Sequence, residues 1–261
     1  MKAEVRRIRG KAVAALAALG LMGAAGQALA QSDASEVPRL VSFGGACRNC
    51  ALAGRRLVGA KFVGSDFAGA NLERADLRGA SFMGATFTGA NLERADIRGA
   101  QMIGGNFLLA NFADANIAGL EAHGVNLINA NLSHTLANCI DFSGSNLTRI
   151  DAEGANFSRG VFAHAVMVSG RFQDASFQDA RLEGADLTDA NLTDVNLKNA
   201  NLAGAVLDGA TLSGADLQGA RNLTQRQLDS ACGDARTRLP NGLSARVCGG
   251  HGRRRLFFLG F

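Results

Sequence analysis

The chain contains no tryptophan and no tyrosine, and only two of its 261 residues are proline, Pro38 and Pro240. Scarce proline, together with 33 glycines that do not recur every third residue, excludes a collagen-like triple helix. General disorder is excluded as well, because apolar residues make up 47% of the chain and suffice for a core. The apolar run over residues 12–25 is shorter than the roughly 20 residues that a membrane span needs. No glycine-rich phosphate loop or dinucleotide fingerprint is present, since the glycines are spaced by five.

What is present at the start is the pattern of an export leader. Lys2, Arg6, Arg7, Arg9 and Lys11 precede the apolar run, and Ala28-Leu29-Ala30 places cleavage before Gln31. The expected location is therefore periplasmic or secreted, by the general secretory route. The formal net charge of +4 would point to nucleic acid if it were spread evenly, but removal of residues 1–30 leaves a neutral chain. This argues against direct nucleic-acid binding.

From Leu52 onward, every fifth residue is large and apolar. Of 34 such positions up to Leu217, 16 are Leu, 11 Phe, 2 Ile and 2 Met, with Ala122, Ala137 and Ala152 as the exceptions. They include Leu72, Leu77, Phe82, Phe87, Leu92, Phe107, Phe112, Leu187, Leu192 and Leu197. The residue two places earlier is small, and is Ala at 21 of the 34. A helix would scatter this period around its circumference, and a straight strand would put it on alternating faces. A chain that turns a corner every five residues, with one small and one large side chain inward per side, satisfies it. Four sides make a coil of 20 residues, and coils stacked at the strand spacing give a rod roughly 40 Å long. The 20-residue repeat is visible directly: GANLERADLRGA begins at Gly69 and GANLERADIRGA at Gly89. Stacking puts Asn71, Asn91, Asn111 and Asn131 in a column where side-chain amides can bond along the ladder. Glu73 and Glu93, like Arg74 and Arg94, form like-charge columns offset by diagonal pairs.

Runs such as Ala70-Asn71-Leu72-Glu73-Arg74 and Ala190-Asn191-Leu192-Thr193-Asp194 resemble the A-[DN]-[LF]-x-x unit of the pentapeptide-repeat family. The resemblance implies an all-β solenoid, a right-handed quadrilateral β-helix of about eight coils. The leader, the lack of an active-site pattern and the regular surface point to a structural or protein-interaction rod in the cell envelope. The resemblance implies an alternative, an acidic mimic of duplex DNA that binds and protects DNA gyrase. Residues 111–220 are acidic, with 13 acidic against 5 basic residues, while residues 221–261 carry eight Arg against two Asp.

The sequence divides into a leader (1–30), an N-terminal linker or cap (31–49), the repeat (50–220), and a C-terminal cap with a basic and apolar tail (221–261). Large and small residues exchange places at Leu120/Ala122 and Ile150/Ala152, and Thr135/Ala137 is weak, so bulges or irregular turns are expected between about 118 and 153. After Ala220, Thr224 and Gln227 form a capping box, with a helix expected to about Ala231 and ended by Gly233. This helix would cover the last coil's open edge. Cys232 and Cys248 bracket a short segment and are the best disulfide pair. Cys47 and Cys50, spaced CxxC, are either a small disulfide loop or two free thiols, and Cys139 is left over.

His123, His134, His164 and His251 share no column, and no nucleophile–base set or metal spacing is present. The expectation is a non-enzymatic protein without cofactor, metal or small-molecule substrate. Its partner is an unidentified protein, with a homodimer through the C-terminal cap and membrane contact by Arg253–Phe261 as open alternatives. Leu187→Lys would bury an unpaired charge and is expected to cost several kcal/mol and unfold the stack cooperatively. Thermal unfolding followed by circular dichroism checks this, and a melting curve like the parent's would refute the inward assignment.

Overall fold

A turn that recurs every five residues determines the path of the chain. The computed structural model describes residues 45–249. The leader, Pro38, His251 and the Arg253–Phe261 tail lie outside the described residues. In nearly every unit the amide three residues past the large apolar residue donates back to that residue's carbonyl: Ala75 N to Leu72 O at 2.9 Å, Ala80 N to Leu77 O at 3.0 Å. The residue in between, two past the large one, has positive φ at all 34 corners from Gly54 to Gly219. Positive φ at the third turn residue alone marks a type II turn, which glycine enters freely. Eighteen of the corners are glycine; Arg74 (φ 55°) and Asp114 (φ 57°) are among the others.

Between turns, parallel bridges pair the residue before each large apolar one with the residue 20 places on, from Ala46↔Asp66 to Asn201↔Arg221, with no slip of register. Leu72 N donates to Asn91 O at 2.7 Å, and Asn91 N donates back to Ala70 O at 2.9 Å. Four five-residue sides therefore make one coil, and all of the coil's ladder bonds run along the stack. Leu72, Leu77, Phe82, Phe87, Leu92, Phe107, Phe112, Leu187, Leu192 and Leu197 are buried, none more than 3% exposed. Phe67, Phe87 and Phe107 stack one coil apart, with ring centroids 5.0 Å apart at each step. Offset stacking of this kind adds to the area each ring buries.

Of the bulges or irregular turns expected between residues 118 and 153, the bulges are absent, and one turn, at Ala122–Val125, is irregular. Leu120, Ala122, Thr135, Ala137, Ile150 and Ala152 are all buried, and the bridges Asn116↔Leu136, Glu121↔Asp141 and Asn131↔Asp151 keep the 20-residue register. Each exchange conserves the volume that enters the core, so the backbone need not move. The departure is in hydrogen bonding. At the turn closed by Ala122 and Val125, the Ser145 hydroxyl from the next coil accepts Val125 N at 3.2 Å and donates to Ala122 O at 3.0 Å. A small apolar cavity of about 10 Å³ adjoins it, lined by Met102, Phe107, Leu120 and Ala122 among others. The axis is thus not completely filled, but the void is about the size of one water and has apolar walls.

At the C-terminal end the chain covers its own last coil. Helix α1 spans Gln225–Asp229, shorter than expected, with Ser230 as its C-cap. Gly233 lies in β1 (Cys232–Gly233), which pairs in parallel with β2 (Arg246–Val247), instead of ending the helix. Thr224 and Gln227 form the capping box, and Gln227 Nε2 also donates to Leu202 O at 2.9 Å and Ala205 O at 2.8 Å. Leu212 N and Leu217 N then donate to Cys232 O and Arg238 O, continuing the ladder. Disulfides join Cys232 to Cys248 and Cys47 to Cys50, and Cys139 is a free, exposed thiol. Ser145→Ala leaves Val125 N and Ala122 O buried without their partner, an expected loss of about 1–3 kcal/mol in urea unfolding. A loss within experimental error would mean that the turn closes directly without the hydroxyl.

Candidate interaction surface

With the large and small residues turned inward, three residues per unit face out. The first precedes the large apolar residue, and its side chain serves its own turn. Asn71 Oδ1 accepts Glu73 N at 3.0 Å, and the same bond recurs at Asn91, Asn111, Asn131, Asn191 and others. The expected asparagine ladder is present only in places, as Asn111 Nδ2 to Asn91 Oδ1 at 3.2 Å and Asn126 Nδ2 to Asn106 Oδ1 at 3.1 Å. The Asn and Asp preference thus follows chiefly from capping a turn amide.

All four sides carry charged residues, most densely the two that descend from Asn71 and Asp76. On one, Arg78 bonds Asp76 at 2.7 Å and reaches Asp96 at 3.7 Å in the next coil, while Arg98 bonds Asp96 at 2.7 Å. Hydrogen bonds from Arg78 and Arg98 hold the carboxyls of Asp76 and Asp96 below their ordinary range. On the next side back, Arg94 joins Glu93 at 3.2 Å and Asp114 at 3.5 Å. Of these, only Arg78–Asp96 is a diagonal pair. The Glu73/Glu93 and Arg74/Arg94 columns are offset instead by pairs within one turn (Arg74–Glu73, Arg94–Glu93) and along one column (Arg94–Asp114). As exposed pairs, all of them add little to stability. The third charged side carries Lys61, Glu121, Asp141, Arg181 and Glu183.

The fourth side differs. Its columns descend from Asp66, Ala68 and Gly69, as shown by the bridges Thr86↔Asn106 and Asn106↔Asn126 and by Leu109 N bonding Ile128 O at 3.1 Å. Between Ala68 and Thr148 it carries no charged residue. The window is built of Thr, Asn and Gly around half-exposed Leu108 and Ile128 and exposed Leu109. Beyond Thr148 the side is charged again, with Arg149, Asp186, Asp189 and Asp208 interspersed with exposed Val166 and Val206. Leu109 is 57% exposed, and it occupies a corner at φ 59°. The other corners hold Gly, Arg, Asp, Asn, His, Ser or Cys139, so Leu109 is the one aliphatic residue among the 34. A leucine held there bears backbone strain of about 1–2 kcal/mol without burying its side chain, and strain of that kind concentrates at functional positions. Sequence reasoning passed over Leu109, although counting the corner column would have revealed it.

A crevice of about 820 Å³ opens at the C-terminal end, lined by Asp194, Asp234, Arg236, Leu239, Leu243 and neighbours. Its ions are already paired: Arg236 bonds Asp194 at 2.8 Å and Asp234 at 3.2 Å. Among the described residues, no three His, Cys, Asp or Glu side chains gather where they could hold a metal ion, and no helix is long and apolar enough to cross a membrane.

Comparison with solved structures places HetL alongside this fold. HetL is a pentapeptide repeat protein involved in heterocyst differentiation regulation from the cyanobacterium Nostoc sp. strain PCC 7120. The match is 28% identical with a TM-score of 0.70, covering 73% of this chain and 86% of HetL. Trypsin-treated QnrB1, a plasmid-mediated fluoroquinolone resistance protein, is 22% identical over 56% of this chain and 76% of its own, with a TM-score of 0.37. A pentapeptide repeat protein from the Arabidopsis thaliana thylakoid lumen is 29% identical over 39% of this chain and 66% of its own, with a TM-score of 0.21. A search of curated protein sequences returned no match. The family model for pentapeptide repeats matches in eight copies, over residues 47–82, 90–127, 126–163, 155–194 and 190–221. With the five-residue turn, the 20-residue coil and this match together, the chain belongs to the pentapeptide-repeat family.

Proposed function

We propose that the protein is an exported, non-enzymatic rod of right-handed coils that docks a protein partner, in the periplasm or outside the cell, through the uncharged stretch of one side between Ala68 and Thr148. The observation that carries this reading is Leu109, a strained, exposed aliphatic residue at the centre of an uncharged window. Aliphatic and uncharged polar groups lose little on desolvation, whereas each ion on the other three sides would need a matched partner. Export is supported by the leader pattern and by the pairing of Cys47 with Cys50 and Cys232 with Cys248, since disulfides persist in oxidising compartments.

The acidic DNA-mimic reading has less support. A mimic of duplex DNA needs continuous rows of negative charge, but here the carboxylates are dispersed over different sides. Several are neutralised: Asp194 by Arg236, Asp216 by Lys198, Glu183 by Arg181. A homodimer through the C-terminal cap would have to use the outer side of residues 230–247, because Cys232 and Arg238 already occupy the coil edge beneath.

Two measurements test the proposal. Residues 1–45 fused to a reporter active only outside the cytoplasm are expected to give activity, and an inactive reporter overturns the export reading. A photo-cross-linking side chain at position 109 is expected to capture a discrete partner in cells, while the same group at position 98 on a charged side captures none. Equal capture at both positions would remove the case for this side. Leu109→Gly serves as the competitor, because glycine takes the corner conformation without strain. Its unfolding free energy should stay within about 1 kcal/mol of the parent while partner binding falls at least about tenfold. A stability loss above about 2 kcal/mol would instead make Leu109 a packing residue.

A further inference from the structure

The side that descends from Lys61 carries the longest apolar run on the outer surface of the described residues. Bridges place Lys61, Ser81, Gln101 and Glu121 in one column, and Gly64 N and Gly84 N donate to Met83 O and Ile103 O of the next coil. Val63, Met83 and Ile103 therefore stand one above another at a spacing of about 4.8 Å. Val63 is 48% and Met83 42% exposed, and Ile103 is half-exposed. Among the described residues no other outward column holds three successive large apolar residues. The strip is bordered by a corner column of glycine alone, Gly64, Gly84, Gly104, Gly124 and Gly144, with open space above each. Another surface can thus approach along that edge without meeting a side chain. Contiguous exposed apolar groups of this kind mark interaction sites.

The charges of the same side select the occupant. From the first coil onward the ladder column reads Lys61, Ser81, Gln101, Glu121, so its reverse offers an acid where the forward order has a base. Two copies packed parallel, coil against coil, would oppose Lys61 to Lys61 and Glu121 to Glu121. Packed antiparallel about a two-fold axis midway between Met83 and Ile103, they oppose Lys61 to Glu121 at both ends and Ser81 to Gln101 between. Glu121 is already steadied by Gln101 of its own chain, whose Nε2 donates to it at 2.8 Å. The same axis sets Met83 against Ile103 twice, so that four apolar side chains cover one another. It also brings glycine corners opposite glycine corners, Gly64 with Gly124 and Gly84 with Gly104.

We propose that a second copy of the chain docks antiparallel on this side, with each contact made twice across the two-fold axis. Four coils make a patch less than about 20 Å long, far smaller than a permanent interface. The pair is therefore a weak dimer whose population depends on concentration. Leu109 stands at the far corner of the neighbouring side, so the dimer leaves it open.

Sedimentation equilibrium tests this on the unmodified chain. The average mass should rise from that of one chain near about 10 µM towards that of two near about 500 µM, as a weak contact requires. The mass of one chain throughout overturns the proposal. Lys61→Glu sets two carboxylates opposite each other and should weaken association at least about tenfold, as should Glu121→Lys, and the double variant should restore it. A dimer that ignores the single changes, or that the double variant fails to restore, lies on another surface such as the C-terminal cap and also overturns it. A photo-cross-linking side chain at position 83 fixes the register. In the product of doubled mass the adduct should map to residues 101–104, and an adduct confined to any other coil rules out this arrangement.

Discussion

Everything in this molecule depends on one backbone arrangement: a type II turn every five residues, repeated so that amides and carbonyls meet their partners 20 residues away. Once the turn recurs at that interval, the inward positions, the small-then-large alternation and the stacked phenylalanines follow from geometry. The corner residue must enter left-handed space, so glycine is frequent there; the preceding outward residue must satisfy a turn amide, so asparagine and aspartate are frequent there. The unusual composition is the set of residues that a single turn accepts, multiplied by 34.

Because the ladder runs along the stack, each coil is held by its two neighbours and little else. The middle coils tolerate exchanged core residues at Leu120/Ala122 and Ile150/Ala152 because volume is conserved within a layer. They even tolerate a turn completed by Ser145 from the next coil. At the C-terminal end the regular pattern gives way to other devices: a short helix whose Gln227 binds the coil below, and a disulfide from Cys232 in β1 to Cys248, just past β2.

Much of this could be read from residues alone. The period of five, its alternation with small residues, the 20-residue coil and the capping box at Thr224 and Gln227 are local or strictly periodic signals. What could not be read depended on three-dimensional neighbours. Bulges were expected wherever the alternation broke, but the length of the backbone path per unit is set by the turn and not by the core residue, so the register held. The asparagine column was read as a ladder, yet each side-chain amide oxygen has a nearer donor inside its own turn, the backbone N–H two residues on. Leu109 was invisible while attention stayed on inward positions, because an exposed leucine on its own is ordinary. It becomes notable only when the corner conformation is known.

A repeating surface poses a difficulty for recognition that an irregular one does not. A partner laid along the rod finds nearly the same backbone again after one coil, about 4.8 Å further on, and could settle at any of several equivalent steps. Threonine, asparagine and glycine recurring in the uncharged window would make those steps almost degenerate. Leu109 occurs once. By breaking the translational symmetry of its side, a single leucine can set the position at which a partner comes to rest, much as one marked graduation makes a uniform scale readable.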